Sequence, residues 1–166
     1  MKIIRGGEKD FEKFYKLFEE SLKEKYFKYS PENASYLINE GLPKRDELKK
    51  AVLKKEKYLY LAYEKDKLIG YLLVSREFAG VAFGNWLAVH KDFRKKGIGS
   101  KLLTAWENDV LKTPAHALQL WTTKNDIGFY EKSGFVVGGR FEKAWLGIDH
   151  YFLYKSIGKP KPKKYT

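Results

Sequence analysis

Residues 90–103 read HKDFRKKGIGSKLL, three consecutive cations (Arg94, Lys95, Lys96) set directly before Gly97-Ile98-Gly99. An apolar strand-like run, NWLAVH, leads in. A run with Ile98, Leu102, Trp106 and Val110 on one face leads out and predicts a helix from Gly97 to about Leu111. The first turn of a helix presents N–H groups with no partner in the helix, together with the positive end of its dipole. Glycines there remove Cβ atoms that would hold an anion away from the backbone. The stretch therefore reads either as a plain turn between a strand and a helix or as an anion seat, with added charge from Arg94, Lys95 and Lys96.

Two phosphate motifs fail against it. GxxxxGK[ST] does not occur, and GxGxxG lacks its third glycine because Ser100, Lys101 and Leu102 follow Gly99. The pattern R-x-x-G-x-G after a strand ending in LAV instead closely resembles motif A of the GNAT superfamily, the N-acetyltransferases that use acetyl-CoA. GFYEKSGF (128–135) resembles that family's motif B, a tyrosine and a short charged stretch before Gly-Phe. The resemblance runs from about Leu59 to Phe135.

The order of elements fits the family over most of the chain. KIIRG (2–6) predicts a strand. Phe11, Phe14, Tyr15, Phe18 and Leu22 predict an amphipathic helix from about Glu8, and shorter helices are expected around 31–39 and 45–54. YLYLAYEKDKLIGYLLVSRE predicts a hairpin about Glu64–Lys67. GVAFGNWLAVH, ALQLWTT, FVVGGRF and IDHYFLYKSI predict further strands, with a short helix in DIGFYEKSG closed at Gly134. The fold class is α/β (α+β): a mixed, mostly antiparallel sheet of six to seven strands flanked by helices. Residues 1–157 are expected to form one domain, and 158–166 a frayed basic Pro/Lys tail.

Composition bounds the alternatives. Hydrophobic residues make up 43% and aromatic ones 16% of 166 residues, enough for one sizeable core. There is no apolar run of membrane-spanning length and no signal-peptide core, so a soluble cytoplasmic protein is expected. The absence of cysteine excludes disulfides and thiol nucleophiles, and His90, His116 and His150 lack metal-ligand spacing. Lys and Glu richness with one Met and a lone Gln119 fits a thermophilic or archaeal source. A net charge of +12 favours polyanionic partners without choosing among them. A basic nucleic-acid-binding module is the rival outside the enzymes, but no RRM, KH or helix-turn-helix pattern supports it. A CoA-binding protein without catalysis is the third reading.

The resemblance implies roles. The backbone amides from Lys95 to Ser100 (Lys95, Lys96, Gly97, Ile98, Gly99, Ser100) hold the CoA pyrophosphate, with Arg94 opening the motif. The backbone N–H of Leu87, on a bulged strand, polarises the thioester carbonyl, while Ala88 and Val89 line the pantetheine arm and Val89 binds it through its backbone. Tyr130 is the general acid for the leaving thiolate. The family asparagine that precedes this tyrosine is displaced: Thr123 occupies its spacing, and Asn125 stands two residues late as a CoA contact. An alkylamine is neutral in on the order of one molecule per thousand at pH 7, so a base is useful. The family's strand carboxylate is replaced by Phe83, leaving Glu77 as first substitute and Asp149 and His150 as weaker ones. The acceptor is expected near Tyr26, Phe27 and Tyr29 on one side and Trp145 and Asp149 on the other. A homodimer is a family habit.

Overall fold

A computed structural model describes residues 1–26, 30–42 and 44–164. The strands are β1 (Lys2–Gly6), β2 (Lys57–Glu64), β3 (Lys67–Phe78), β4 (Val81–Val89), β5 (Ala117–Thr122), β6 (Val136–Phe141) and β7 (His150–Ser156). The helices are α1 (Phe11–Tyr26), α2 (Pro31–Tyr36), α3 (Arg45–Leu53), α4 (Ile98–Val110) and α5 (Ile127–Glu131). The strand order is β1-β2-β3-β4-β5-β7-β6, a seven-stranded mixed sheet. Strand β4 runs parallel to β5, while β1/β2, β5/β7 and β6/β7 are antiparallel. The hairpins β2–β3 and β3–β4 turn at Lys65–Asp66 and Ala79–Gly80, where Lys65, Ala79 and Gly80 take positive φ.

Two compact units share these elements. The first comprises Met1–Leu73 with Trp86–Leu102, the second Val74–Asn85 with Leu103–Thr166. In the first, the expected spacing buries Phe11, Phe14, Phe18 and Leu22 of α1. Phe14 and Phe18 meet Tyr71 of β3 edge-on at 5.1 and 5.9 Å, and the Tyr71 hydroxyl lies 2.6 Å from Ser21 Oγ. Helix α1 begins later than Glu8 because Glu8–Asp10 form a 3-10 turn, in which buried Asp10 accepts from the Gly7 N–H at 3.0 Å. Helix α2 is shorter than expected: its regular turn ends at Tyr36, and Leu37–Gly41 widen into a π turn. In the second unit, Trp106 and Val110 of α4, Leu118 and Leu120 of β5 and Leu153 of β7 are buried. Lys155 of β7 ties α4 to the end of α5, its ammonium donating to Glu107 at 2.7 Å and to the Ser133 carbonyl at 3.0 Å. The tail holds a 3-10 turn at Pro162–Lys164. Among the described residues no helix is long and apolar enough to cross a membrane.

Burial, with donation of its hydroxyl to Asp10 at 3.0 Å, pushes the Tyr63 phenol up to about 12. Tyr130 is raised as well, by burial first and by the Asp126 carboxylate second. Both pKa values lie above the ordinary one near 10 of an unfolded chain, so their contribution to stability is whole below about pH 10. It is lost as pH rises, because the unfolded phenols ionise while the folded ones hold their protons. Thermal melts are expected to be flat in this contribution from pH 7 to 9 and to fall above pH 10, most steeply between 10 and 12. A Tyr63→Phe variant would show a shallower alkaline decline.

Candidate active site

The strand-to-helix loop alternates left-handed and ordinary backbone. His90 opens a 3-10 turn over Lys91–Phe93, Lys95 takes φ 60° and Gly97 φ 74°, and α4 starts at Ile98. Left-handed backbone at a lysine costs about 1 kcal/mol or more, and it persists where neighbouring structure holds it. Such alternation turns successive N–H groups toward one side, where they can surround an anion. Nothing approaches within 4 Å of where a Cβ on Gly97 would stand, so the space there is open. Ile98 and Gly99 are buried beneath the first turn, while Ser100 and Lys95 to Gly97 are exposed.

Two cations of this loop make contacts within the protein. Arg94 Nη1 and Nη2 donate to the Glu24 carboxylate of α1 at 2.7 and 2.6 Å, and Nε donates to the Val89 carbonyl at 2.9 Å. Lys96 Nζ donates to the Asp92 carbonyl at 3.3 Å and sits 5.2 Å from the Phe93 ring centre. Arg94 and Lys96 thus shape the loop with their side chains. Lys95 is exposed. Both partners of the Glu24–Arg94 pair are about two-fifths exposed, so its stability value is small, ~1 kcal/mol or less. Its use is positional: it holds the exit of β4 against the loop. Glu24→Gln is expected to move the melting temperature little and to weaken acetyl-CoA binding roughly tenfold, measured by calorimetry.

Backbone direction in β4 follows from its hydrogen bonds. The His90 N–H donates to Ile69 O at 2.8 Å, and Ala88 O lies 3.2 Å from where a Cβ on Gly70 would stand, so both groups face β3. Alternation then turns the peptide groups of Leu87 and Val89 away from β3, which agrees with Val89 O reaching Arg94. The register of β4 with β5 ends at Gly84–Leu120, short of both residues. Side chains of β4 have neighbours in each unit. A Cβ on Gly84 would meet Trp106 of α4 at 3.3 Å, whereas the Trp86 ring lies 5.9 Å from Phe18 of α1. At β3, Gly70 faces Ile98 and Leu102 of α4 while the adjacent Tyr71 faces α1, so these are opposite faces. Leu87 and Val89 are only half-buried, unlike the core residues of β3.

In the second unit, Tyr130 is buried on α5, with Phe129 and Phe135 at 4.9 and 5.9 Å. The helix closes at Gly134 (φ 85°), and Ser133 N and Phe135 N both donate to the Tyr130 carbonyl, at 2.9 and 3.1 Å. This cap fixes the main chain at Tyr130. Thr123 is buried and donates from Oγ1 to Asp126 at 3.4 Å, while Asn125 is exposed on the 3-10 turn Lys124–Asp126. Glu77 is half-buried near the end of β3, and Phe83 is half-buried on β4.

The family model described as an acetyltransferase (GNAT) domain matches residues 55–137. The chain belongs to the GNAT acetyltransferases. Solved structures with the same fold include a PaiA N-acetyltransferase from Thermoplasma acidophilum in complex with coenzyme A. It is 23% identical, with 94% of this chain and 99% of that one covered, at a TM-score of 0.79. A GNAT acetyltransferase from Streptococcus pneumoniae is 20% identical over 95% and 99% of the two chains, at 0.77. An aminoglycoside 6'-N-acetyltransferase complexed with coenzyme A is 16% identical over 98% and 99%, at 0.68. No curated protein matches the chain.

Asp149 and His150, the weaker base candidates of this acetyltransferase, both have partners in the connection between β6 and β7. Asp149 accepts from Arg140 Nη2 at 2.5 Å, from Arg140 Nε at 3.2 Å and from the Lys143 N–H at 2.8 Å. The Lys143 N–H, then the Arg140 guanidinium, hold its carboxyl below the usual range. It is a clamp on the β6–β7 connection and a poor proton acceptor. His150 is buried, its Nδ1 2.9 Å from Ile148 O, with Trp145 edge-on at 5.0 Å. Trp145 is 54% exposed. Tyr26 ends α1, and its side chain, like Phe27 and Tyr29, lies outside the described residues.

Proposed function

We propose that this acyltransferase moves an acetyl group from acetyl-CoA to a primary amine by direct attack. The observation that carries the reading is the left-handed loop opening α4, whose geometry suits the CoA pyrophosphate: open space above Gly97, exposed Lys95 to Gly97 and Ser100, and the positive end of a thirteen-residue helix. The amides from Lys95 to Ser100 hold the phosphates, and Arg94 positions them through Glu24 and Val89. Acetyl-CoA supplies an acetyl group on a thioester.

The Leu87 N–H, turned away from β3, donates to the carbonyl oxygen as negative charge develops there. Val89, whose carbonyl is taken by Arg94, offers its N–H to the pantetheine arm, alongside Ala88. Tyr130 donates a hydrogen bond to the departing thiolate. Its raised pKa keeps the proton in place through the working pH range and favours hydrogen bonding over complete transfer. Asn125, exposed, is a CoA contact. Glu77 takes the amine proton, directly or through water, since Asp149 is occupied by Arg140 and Lys143. Trp145 belongs to the acceptor side, with Asp149 holding its loop and Tyr26 and Tyr29 as further acceptor contacts. The same reading places the chain in the cytoplasm, with an amine rather than a nucleic acid or membrane as partner, and carries a homodimer over from family habit.

The test is calorimetric titration with acetyl-CoA followed by a thiol-release assay against an amine panel. Micromolar binding with amine-dependent release of CoA is expected. Absence of binding by the intact chain would overturn the reading.

A further inference from the structure

Beside the amides that open α4 stands a separate pair of cations. Lys67 opens β3, and the bond from the His90 N–H to the Ile69 carbonyl at 2.8 Å brings the start of β3 next to the loop. There the Lys67 ammonium lies 5.2 Å from the centre of the Phe93 ring, and the Lys96 ammonium lies 5.2 Å from the same centre. His90 meets that ring edge-on at 5.8 Å, and the ring is half-buried. Phe93 thus collects two ammoniums, one from the strand and one from the loop.

Both lysines are exposed, and among the described residues neither ammonium has a carboxylate partner. Acids close by in the fold are engaged elsewhere. Glu24 holds Arg94, Glu64 holds the N-terminal ammonium at 3.0 Å, and the Asp92 carboxylate lies 3.6 Å from His90 Nδ1. Cation–π attraction at an exposed ring is weak, and like charges gathered at one ring repel each other. An anion relieves that repulsion. Each ammonium keeps donors for one, since Lys96 spends only one of its N–H groups, on the Asp92 carbonyl.

The place of the pair in the loop chooses the anion. The Lys96 N–H belongs to the amides proposed for the pyrophosphate, while its side chain turns back to Asp92 and Phe93. The two ammoniums therefore stand next to the pyrophosphate seat, on its upstream side. In coenzyme A a single ribose joins the pyrophosphate to a 3'-phosphate, a monoester with roughly two negative charges at neutral pH. We infer that Lys67 and Lys96, gathered at Phe93, hold this 3'-phosphate, so that the protein distinguishes coenzyme A from its 3'-dephospho form. The inference rests on the acetyltransferase reading above and adds Lys67, which lies outside the glycine motif, to the donor site.

The test is calorimetric titration of the intact protein with coenzyme A and with 3'-dephospho-CoA, a readout that needs no acetyl transfer. Wild type, Lys67→Met, Lys96→Met and Lys50→Met are compared at one ionic strength, because salt screens exposed charges. Lys50, exposed on α3, lowers the net charge equally when replaced. Wild type and Lys50→Met are expected to bind coenzyme A at least about tenfold more tightly than 3'-dephospho-CoA. Lys67→Met and Lys96→Met are each expected to cut that ratio to about threefold or less, with affinity for 3'-dephospho-CoA within about twofold of wild type. Equal binding of the two ligands by the wild type would overturn the inference, as would an unchanged ratio in Lys67→Met. Equal loss of both ligands in Lys67→Met would overturn it too, because the lysine would then support the loop as a whole. A ratio that falls as far in Lys50→Met would assign the preference to net charge and also overturn it. If the wild type binds neither ligand, the reading beneath the inference fails with it.

Discussion

Ser100→Glu is expected to keep or raise the melting temperature while cutting acetyl-CoA affinity by a hundredfold or more. The two effects have opposite signs for one reason. Ser100 is exposed in the first turn of α4, where a carboxylate interacts favourably with the helix dipole, by about 0.3–1 kcal/mol. The same carboxylate occupies the field that would hold the pyrophosphate, and at ~4 Å in a partly screened setting a unit charge repels another by about 4 kcal/mol. The diphosphate carries more than one charge, so the loss of binding exceeds the gain in stability. Gly99→Glu makes a harsher companion, because Gly99 is buried and the substitution adds bulk as well. A melt and a calorimetric titration on each variant separate the cases. Unchanged affinity in Ser100→Glu would mean that no phosphate lies at this helix start.

Tyr130→Phe is expected to lower kcat about a hundredfold and to leave the KM for acetyl-CoA within about twofold. The substitution removes one oxygen from a ring held by Phe129 and Phe135, so the fold should tolerate it. Because burial raises the Tyr130 phenol, its ionisation will not appear as an alkaline limb in the pH profile below about pH 10. Wild-type kcat/KM should instead rise toward the pKa of the amine. A kcat in Tyr130→Phe equal to that of the wild type would remove the tyrosine from the mechanism.

What could be read from the sequence was local. The loop before α4 declared itself because two glycines and a strand ending lie within a dozen residues. The short helix that carries Tyr130 was legible in the same way, through the Gly-Phe that follows it. The amphipathic faces of α1 and α4 came from spacing alone, and Phe11, Phe14, Phe18, Ile98, Leu102 and Trp106 are buried as that spacing requires. Partners distant in sequence were hidden. Nothing near Arg94 announces its ion pair with Glu24 in α1, seventy residues away in the chain. Asp149 read as a free acid because its commitment to Arg140 and the Lys143 N–H depends on how the β6–β7 connection turns. The meeting of rings from β5, β6 and β7 was equally out of reach. Trp121, Phe141 and Phe152 come together only once three strands are in register, one of them bulged at Gly138.

The most direct measurement sets acetyl-CoA against S-acetylpantetheine, which keeps the thioester and pantetheine arm but lacks the nucleotide and its phosphates. If the loop from Arg94 to Ser100 is the pyrophosphate seat, calorimetry will show micromolar binding of acetyl-CoA and a loss of about a thousandfold, ~4 kcal/mol, for S-acetylpantetheine. Equal affinities for the two would contradict the account, because the loop would then contribute nothing to holding the acetyl donor.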